Sequence, residues 1–224
     1  MPAVINLNYS VSTNRINLTW QKPKNSYCTI TSYSINCKLV GSVNCPYKSA
    51  TDYTRHSKDP SYELRDLKPY SIYEVIVAAL GDIGSGEASA INVTTKAIET
   101  LSKNEIPQII GKSINPWNVD VYLSQIRCED IQGPIHLLFE TQCLSQWCSA
   151  KDNRRTISYK YPQSYITLRS LIPYTNYSVV MKVSRHSDFK DYRSVSDNFT
   201  TNSSVPGNIT DVLVTSRDEK IYIL

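Results

Sequence analysis

The segment Leu67-Lys68-Pro69-Tyr70-Ser71-Ile72-Tyr73 returns as Leu171-Ile172-Pro173-Tyr174-Thr175-Asn176-Tyr177, 104 residues later. A chain that repeats itself at that distance has to fold as similar units, each with its own core. Each copy leads into an apolar run, followed by a loop and a Thr-Thr pair (Thr94-Thr95 and Thr200-Thr201). Val205-Pro206-Gly207-Asn208 then resembles the opening Met1-Pro2-Ala3-Val4, and Ile221-Tyr222-Ile223-Leu224 imitates Ile16-Asn17-Leu18-Thr19. The expected organisation is one repeat over 1–97, a linker over 98–105, a second repeat over 106–202, and the first strands of a truncated third repeat over 205–224. Such a chain reads as a slice of a longer array.

Within each repeat the period is two. Arg15-Ile16-Asn17-Leu18-Thr19-Trp20 places Ile16, Leu18 and Trp20 on one face, and 31–37 alternates in the same way. Turn signals at 22–27, 58–61 and 81–86 separate short runs, as in a sandwich or barrel. No long stretch has apolar residues at helical spacing. The aromatic inventory agrees: 16 Tyr against 3 Phe and 2 Met suits half-buried pleated surfaces. The fold class predicted is all-β. The longest apolar run, 75–80, is far short of the roughly 18 residues that cross a bilayer. No direct membrane insertion is expected, and the opening residues do not form a targeting segment. A net charge of +4 with scattered Lys and Arg gives no basic stripe, which argues against a nucleic-acid partner.

Leu-x-Pro-x-x-x-Tyr resembles the tyrosine-corner signature of fibronectin type III domains. The Trp ending the second strand and Gly84-Ser85-Gly86-Glu87-Ala88-Ser89 before the last strand also fit that family. The resemblance covers nearly the whole chain and implies tandem seven-stranded Greek-key β-sandwiches, with Tyr73 and Tyr177 as the corner residues. The second repeat departs at one place: Leu123 takes the position of Trp20, and Trp117 is displaced toward the N-terminal side. An immunoglobulin domain would carry Cys two residues after the corner Tyr, where Val75 and Val179 stand here.

Six cysteines divide into Cys28, Cys37, Cys45 and Cys128, Cys143, Cys148. An extended strand holds Cys28 and Cys37 too far apart to bond. Cys37–Cys45 and Cys143–Cys148 would each close the hairpin after the third strand of a repeat, leaving Cys28 and Cys128 over. The alternative pairs Cys128, at the top of the second repeat, with a cysteine at the bottom of the first. No Cys-x-x-Cys exists, and His56, His136 and His186 stand alone, so no metal site is expected. Asn8, Asn17, Asn92, Asn176, Asn198, Asn202 and Asn208 all head Asn-x-Ser/Thr, where about three would arise by chance. Cysteines and sequons together indicate the secretory pathway.

A catalyst is not expected, nor a cofactor. Gly84-x-Gly86 lies between two strands rather than before a helix, and no activated nucleophile, carboxylate pair or phosphate loop is present. What remains is recognition through loops held on a rigid scaffold. The resemblance implies that the F–G loop of the second repeat, 185–192, lies near the pole of the first, beside 128–133 and 38–44. Arg185, Phe189, Tyr192 and Asp130 are the candidate ligand-binding residues, since aromatic and Arg anchors dominate interfaces. The function expected from the resemblance is the extracellular, protein-binding segment of a single-pass signalling receptor, dimeric receptors included. The parent could be a receptor tyrosine kinase, a receptor tyrosine phosphatase or a cytokine receptor, although Tyr192-Arg193-Ser194-Val195-Ser196 is only a degenerate echo of the cytokine-receptor motif. The alternative is a structural or adhesive array in which the repeats are spacers.

Overall fold

The computed structural model describes residues 1–24, 28–43, 52–149 and 154–204, together with the backbone of 214–217 and 220–223. Each alternating run becomes a strand with one face in a core. The first sandwich contains β1 (Ile5–Val11), β2 (Ile16–Gln21), β3 (Ile30–Ser42), β4 (Asp52–Ser57), β5 (Ser61–Leu64), β6 (Ser71–Gly81) and β7 (Gly84–Thr94). They form two antiparallel sheets, β1-β2-β5 and β4-β3-β6-β7. The second repeats this order. Its strands are β8 (Ile109–Ile114), β9 (Asn118–Leu123), β10 (His136–Cys143), β11 (Arg154–Lys160), β12 (Tyr165–Arg169), β13 (Asn176–Ser184) and β14 (Arg193–Thr200). They make the sheets β12-β9-β8 and β11-β10-β13-β14. A separate antiparallel hairpin, β15 (Val214–Arg217) with β16 (Lys220–Ile223), follows.

Burial follows the sequence period. Ile16, Leu18 and Trp20 meet Tyr33, Ile35 and Val75 in the first core, with Trp20 edge-on to Tyr33 at 5.2 Å between ring centroids. In the second core Val119, Val121 and Leu123 occupy the equivalent face. Leu123 is the true counterpart of Trp20: the N–H of each donates to the carbonyl just ahead of the fifth strand of its repeat, Pro60 or Ser164. Trp117 lies outside, in the β8–β9 turn.

The recurring segment acts as a lock between strands. The Tyr73 hydroxyl accepts from the Lys68 N–H at 2.7 Å, and the Tyr177 hydroxyl from the Ile172 N–H at 2.9 Å. The second Thr of each Thr-Thr pair completes it. Thr95 Oγ1 accepts from the Ser71 N–H and donates to the Lys68 carbonyl, and Thr201 Oγ1 does the same with Thr175 and Ile172. A buried hydroxyl that both donates and accepts leaves no orphaned polar group at the crossover.

The cysteines correct one expectation. Cys143 and Cys148 are bonded, but Cys37 is a free, fully buried thiol, so Cys37–Cys45 does not form. The repeats' cysteines match in order but not in register. Cys143 pairs across the sheet with the corner Tyr177, whereas Leu39 is the residue opposite Tyr73. Cys37 sits two residues deeper in its strand, opposite Val75, and points into the core with Tyr33 and Ile35. Burial pushes its thiol pKa up. Cys28 is also free, and Cys128 is disulfide-bonded. Cys45 and Asn208 lie outside the described residues, as do 205–213 of the expected third repeat.

Candidate functional site

The junction between the sandwiches is built around one buried ion pair. The linker turns through a short 3-10 element, Lys103–Glu105, which drives the Glu105 carboxylate beneath the end of β13. Arg185, the first residue past β13, folds inward to meet it. Their side chains are 0% and 3% exposed, with Arg185 Nη2 at 2.7 and 2.6 Å from Oε1 and Oε2 of Glu105. The carboxylate also accepts from the Ser102 N–H at 3.0 Å and the Gln132 N–H at 2.7 Å. The guanidinium reaches the carbonyls of Pro134 and Thr100, both at 3.3 Å. Linker, β9–β10 connection and β13 are therefore tied by one pair of charges. A buried pair is tolerated only when its remaining donors and acceptors are satisfied, and here nearly all are. The exception is Arg185 Nε, which is buried without a partner.

Gly133 explains how close this packing is. A Cβ there would stand 3.0 Å from Arg185 Cζ and 3.1 Å from the Ala97 side chain. Next to it, the Ile98 N–H donates to the Gln132 carbonyl at 2.8 Å. The end of the first repeat is thus held directly against the second, and Tyr70 of the first packs on the second core.

The four candidate ligand residues are not gathered into one site. Arg185 belongs to the buried pair and is unavailable to a surface ligand, which corrects its assignment. Tyr192 is exposed and receives Lys182 Nζ over its ring at 4.6 Å from the centroid. Lys182 is itself bonded to Glu140, at 2.7 Å, and Glu140 to Arg154, at 3.0 Å, giving a charged row across the outer face of β10, β11 and β13. The Lys182 hydrogen bond, with Arg154 behind it, holds the Glu140 carboxyl below its usual range. Phe189 adopts a left-handed backbone (φ 50°) and lies half-buried in a separate cleft with His136, Ser158 and Tyr159. Burial, helped by Lys160 and His186, lowers the His136 pKa. Asp130 is occupied by Arg127 Nε at 2.8 Å and accepts from the Asn104 side-chain amide at 3.4 Å.

Two clefts remain on the junction. One, about 450 Å³, is lined by Glu99, Thr100 and Leu101 of the linker with His186, Tyr192 and Arg193. The other, about 140 Å³, lies between Leu39, Ser42 and Pro69 of the first sandwich and Glu129, Ile131 and Gln132 of the second. Sequence reasoning missed Glu105 because it stood in what read as a linker, and no local pattern pairs it with a residue 80 positions away.

With the sheet order, corner tyrosines and junction established, comparison with known proteins adds one assignment. Residues 2–95 match the Fibronectin type III domain family. The matched residues are those of the β1–β7 sandwich, and the second sandwich copies its strand order and its corner. No curated protein sequence matches the chain. Among solved structures, it is similar to a two fibronectin type-III domain segment from chicken tenascin, at 13% identity and a TM-score of 0.38, over 88% of this chain and 99% of that one. It is also similar to the FN1-FN3 domains of chicken CNTN1, at 16% identity and a TM-score of 0.47, over 96% of this chain and 71% of that one.

Proposed function

We propose that this chain is a non-catalytic, extracellular recognition segment of a cell-surface protein, of the signalling-receptor kind, and that it binds a protein partner at the junction of its fibronectin type III repeats. The observation that carries the reading is the buried Glu105–Arg185 pair. It ties linker and F–G loop together, so Glu99–Leu101 and His186–Arg193 form one surface whose shape is set before a partner arrives. Pre-organisation of that kind lowers the entropic cost of association. Tyr192 supplies an exposed aromatic anchor there, flanked by Arg193 and His186. The compartment is supported by the Cys143–Cys148 disulfide and by Asn8, Asn17, Asn92, Asn176, Asn198 and Asn202, whose side chains are all exposed. Among the described residues no helix is long and apolar enough to cross a membrane.

The test is a binding screen of the glycosylated chain against secreted and cell-surface proteins. A partner lost on Tyr192→Ala or Arg193→Ala, with the thermal transition unchanged, supports the site. A partner indifferent to both moves the site elsewhere. A second reading, a spacer in an adhesive array, draws on the same fixed junction, because a clamped linker also holds successive repeats at a constant angle. Silence across the screen from folded protein favours that reading.

A further inference from the structure

The two repeats carry the same pole in different surroundings. In the first, Tyr70 has a left-handed backbone (φ 50°), its N–H donates to Lys96 O at 3.2 Å, and its side chain packs on the second sandwich's core. In the second, Tyr174 has the same backbone (φ 52°) and the same bond, to Asn202 O at 3.1 Å, yet its side chain is 71% exposed. It does not stand alone. The loop closed by Cys143–Cys148 folds back under the corner, with the Leu144 N–H bonded to Asn176 O and the Trp147 indole N–H to Thr175 Oγ1 at 3.0 Å. Leu144 and Trp147 are thereby fixed beside Tyr174 while remaining 53% and 61% exposed. Three large apolar side chains converge on one end of the sandwich, and two of them are held there by backbone and side-chain hydrogen bonds. Apolar surface gathered in this way marks a contact.

We propose that the pole formed by Leu144, Trp147 and Tyr174 is the docking surface for a further β-sandwich repeat that follows in the same chain. The incoming repeat would place its own β-strand connection where Ile131 and Gln132 sit against the pole of the first sandwich. The argument for this occupant is the molecule's own precedent. The chain leaves the first sandwich at Thr95-Lys96, bonded to Ser71 and Tyr70, and the next sandwich covers that pole. It leaves the second at Thr201-Asn202 through the same pair of bonds, to Thr175 and Tyr174. Beyond that exit lies the antiparallel hairpin β15–β16, and each complete sandwich likewise opens with an antiparallel pair, β1–β2 or β8–β9. Apolar burial at this pole is then the main attraction between the second and third repeats.

The experiment compares this 224-residue chain with a recombinant form extended through the residues that follow in the natural polypeptide, both carrying Trp117→Phe and each paired with a Trp147→Phe control. Trp20 is buried, so in the 224-residue chain the quencher-accessible emission belongs to Trp147, and in the extended form the difference from its Trp147→Phe control isolates it. Docking by a following repeat predicts a severalfold lower acrylamide quenching constant for Trp147 in the extended form. Trp147→Ser with Tyr174→Ser should loosen the angle between the second and third repeats in small-angle scattering and leave the second sandwich folded by circular dichroism. Equal quenching in the two proteins overturns the proposal, as does a natural polypeptide that ends at Leu224. Concentration-dependent protection of Trp147 in the 224-residue chain also overturns it, in favour of a second copy of this chain.

Discussion

Replacing Glu105 by Gln probes the junction most directly. The substitution keeps the shape and removes the charge, leaving the Arg185 guanidinium 3% exposed with no counter-charge. The new amide NH2 also faces at least one donor, since both carboxylate oxygens accept backbone N–H groups, from Ser102 and Gln132. Breaking a buried pair from one side costs about 3–5 kcal/mol, most of it from the stranded charge. For a sandwich of this size each kcal/mol lowers Tm by roughly 4–8 °C, so the second domain should melt at least about 12 °C earlier. Differential scanning calorimetry on the intact chain reads this as a downward shift of one transition, with that of the first sandwich nearly unmoved. The double change Glu105→Leu with Arg185→Met removes both charges and should recover most of the loss, because apolar replacement of a buried pair is often neutral. A shift below about 1 kcal/mol for Glu105→Gln would refute the reasoning, since a surface-type pair has that worth.

Tyr177→Phe deletes the acceptor for the Ile172 N–H and should cost the second sandwich about 1–3 kcal/mol by urea unfolding, the penalty of leaving a part-buried donor unmade. The depressed Glu140 carboxyl gives stability that is complete above the ordinary value of 4.5 and is lost as pH falls through the folded value. Urea midpoints measured from neutral pH down to about pH 3 should therefore fall less steeply for Glu140→Gln than for the parent chain. Alkylation of the denatured, unreduced protein should label Cys28 and Cys37, leave Cys128 unlabelled, and recover Cys143 and Cys148 as one linked pair in peptide mass spectrometry.

Much of the fold was legible because its determinants are local. Alternation in 15–20 set the buried face of β2, and the repeated Leu-x-Pro-x-x-x-Tyr located both crossovers, since a corner hydroxyl bonds a backbone N–H only five residues upstream. The Thr-Thr pairs served only as markers of repetition, and their role as the second half of the lock needed the neighbouring strand in place. Counting cysteines in order misled, because order carries no register. The same alternation that puts Tyr33 and Ile35 inside puts Cys37 inside as well, and that reading was available before any pairing was chosen.

The candidate site was legible only as a region. The F–G loop and linker were singled out, but Arg185 was taken for a surface anchor, and Glu105 was not seen. Strand periodicity stops informing where β13 ends: Val183, Ser184 and Arg185 are buried in succession because the linker folds across them. Sequence alone determined the class of fold and the corner residues, which depend on periods and spacings shorter than a strand pair, and the two-repeat order, which shows as one short segment recurring 104 residues later. Which charges are buried, which aromatic residues remain in solvent and which pole is covered were decided by tertiary structure, because each depends on surfaces brought together from separate parts of the chain, 80 residues apart for Glu105 and Arg185.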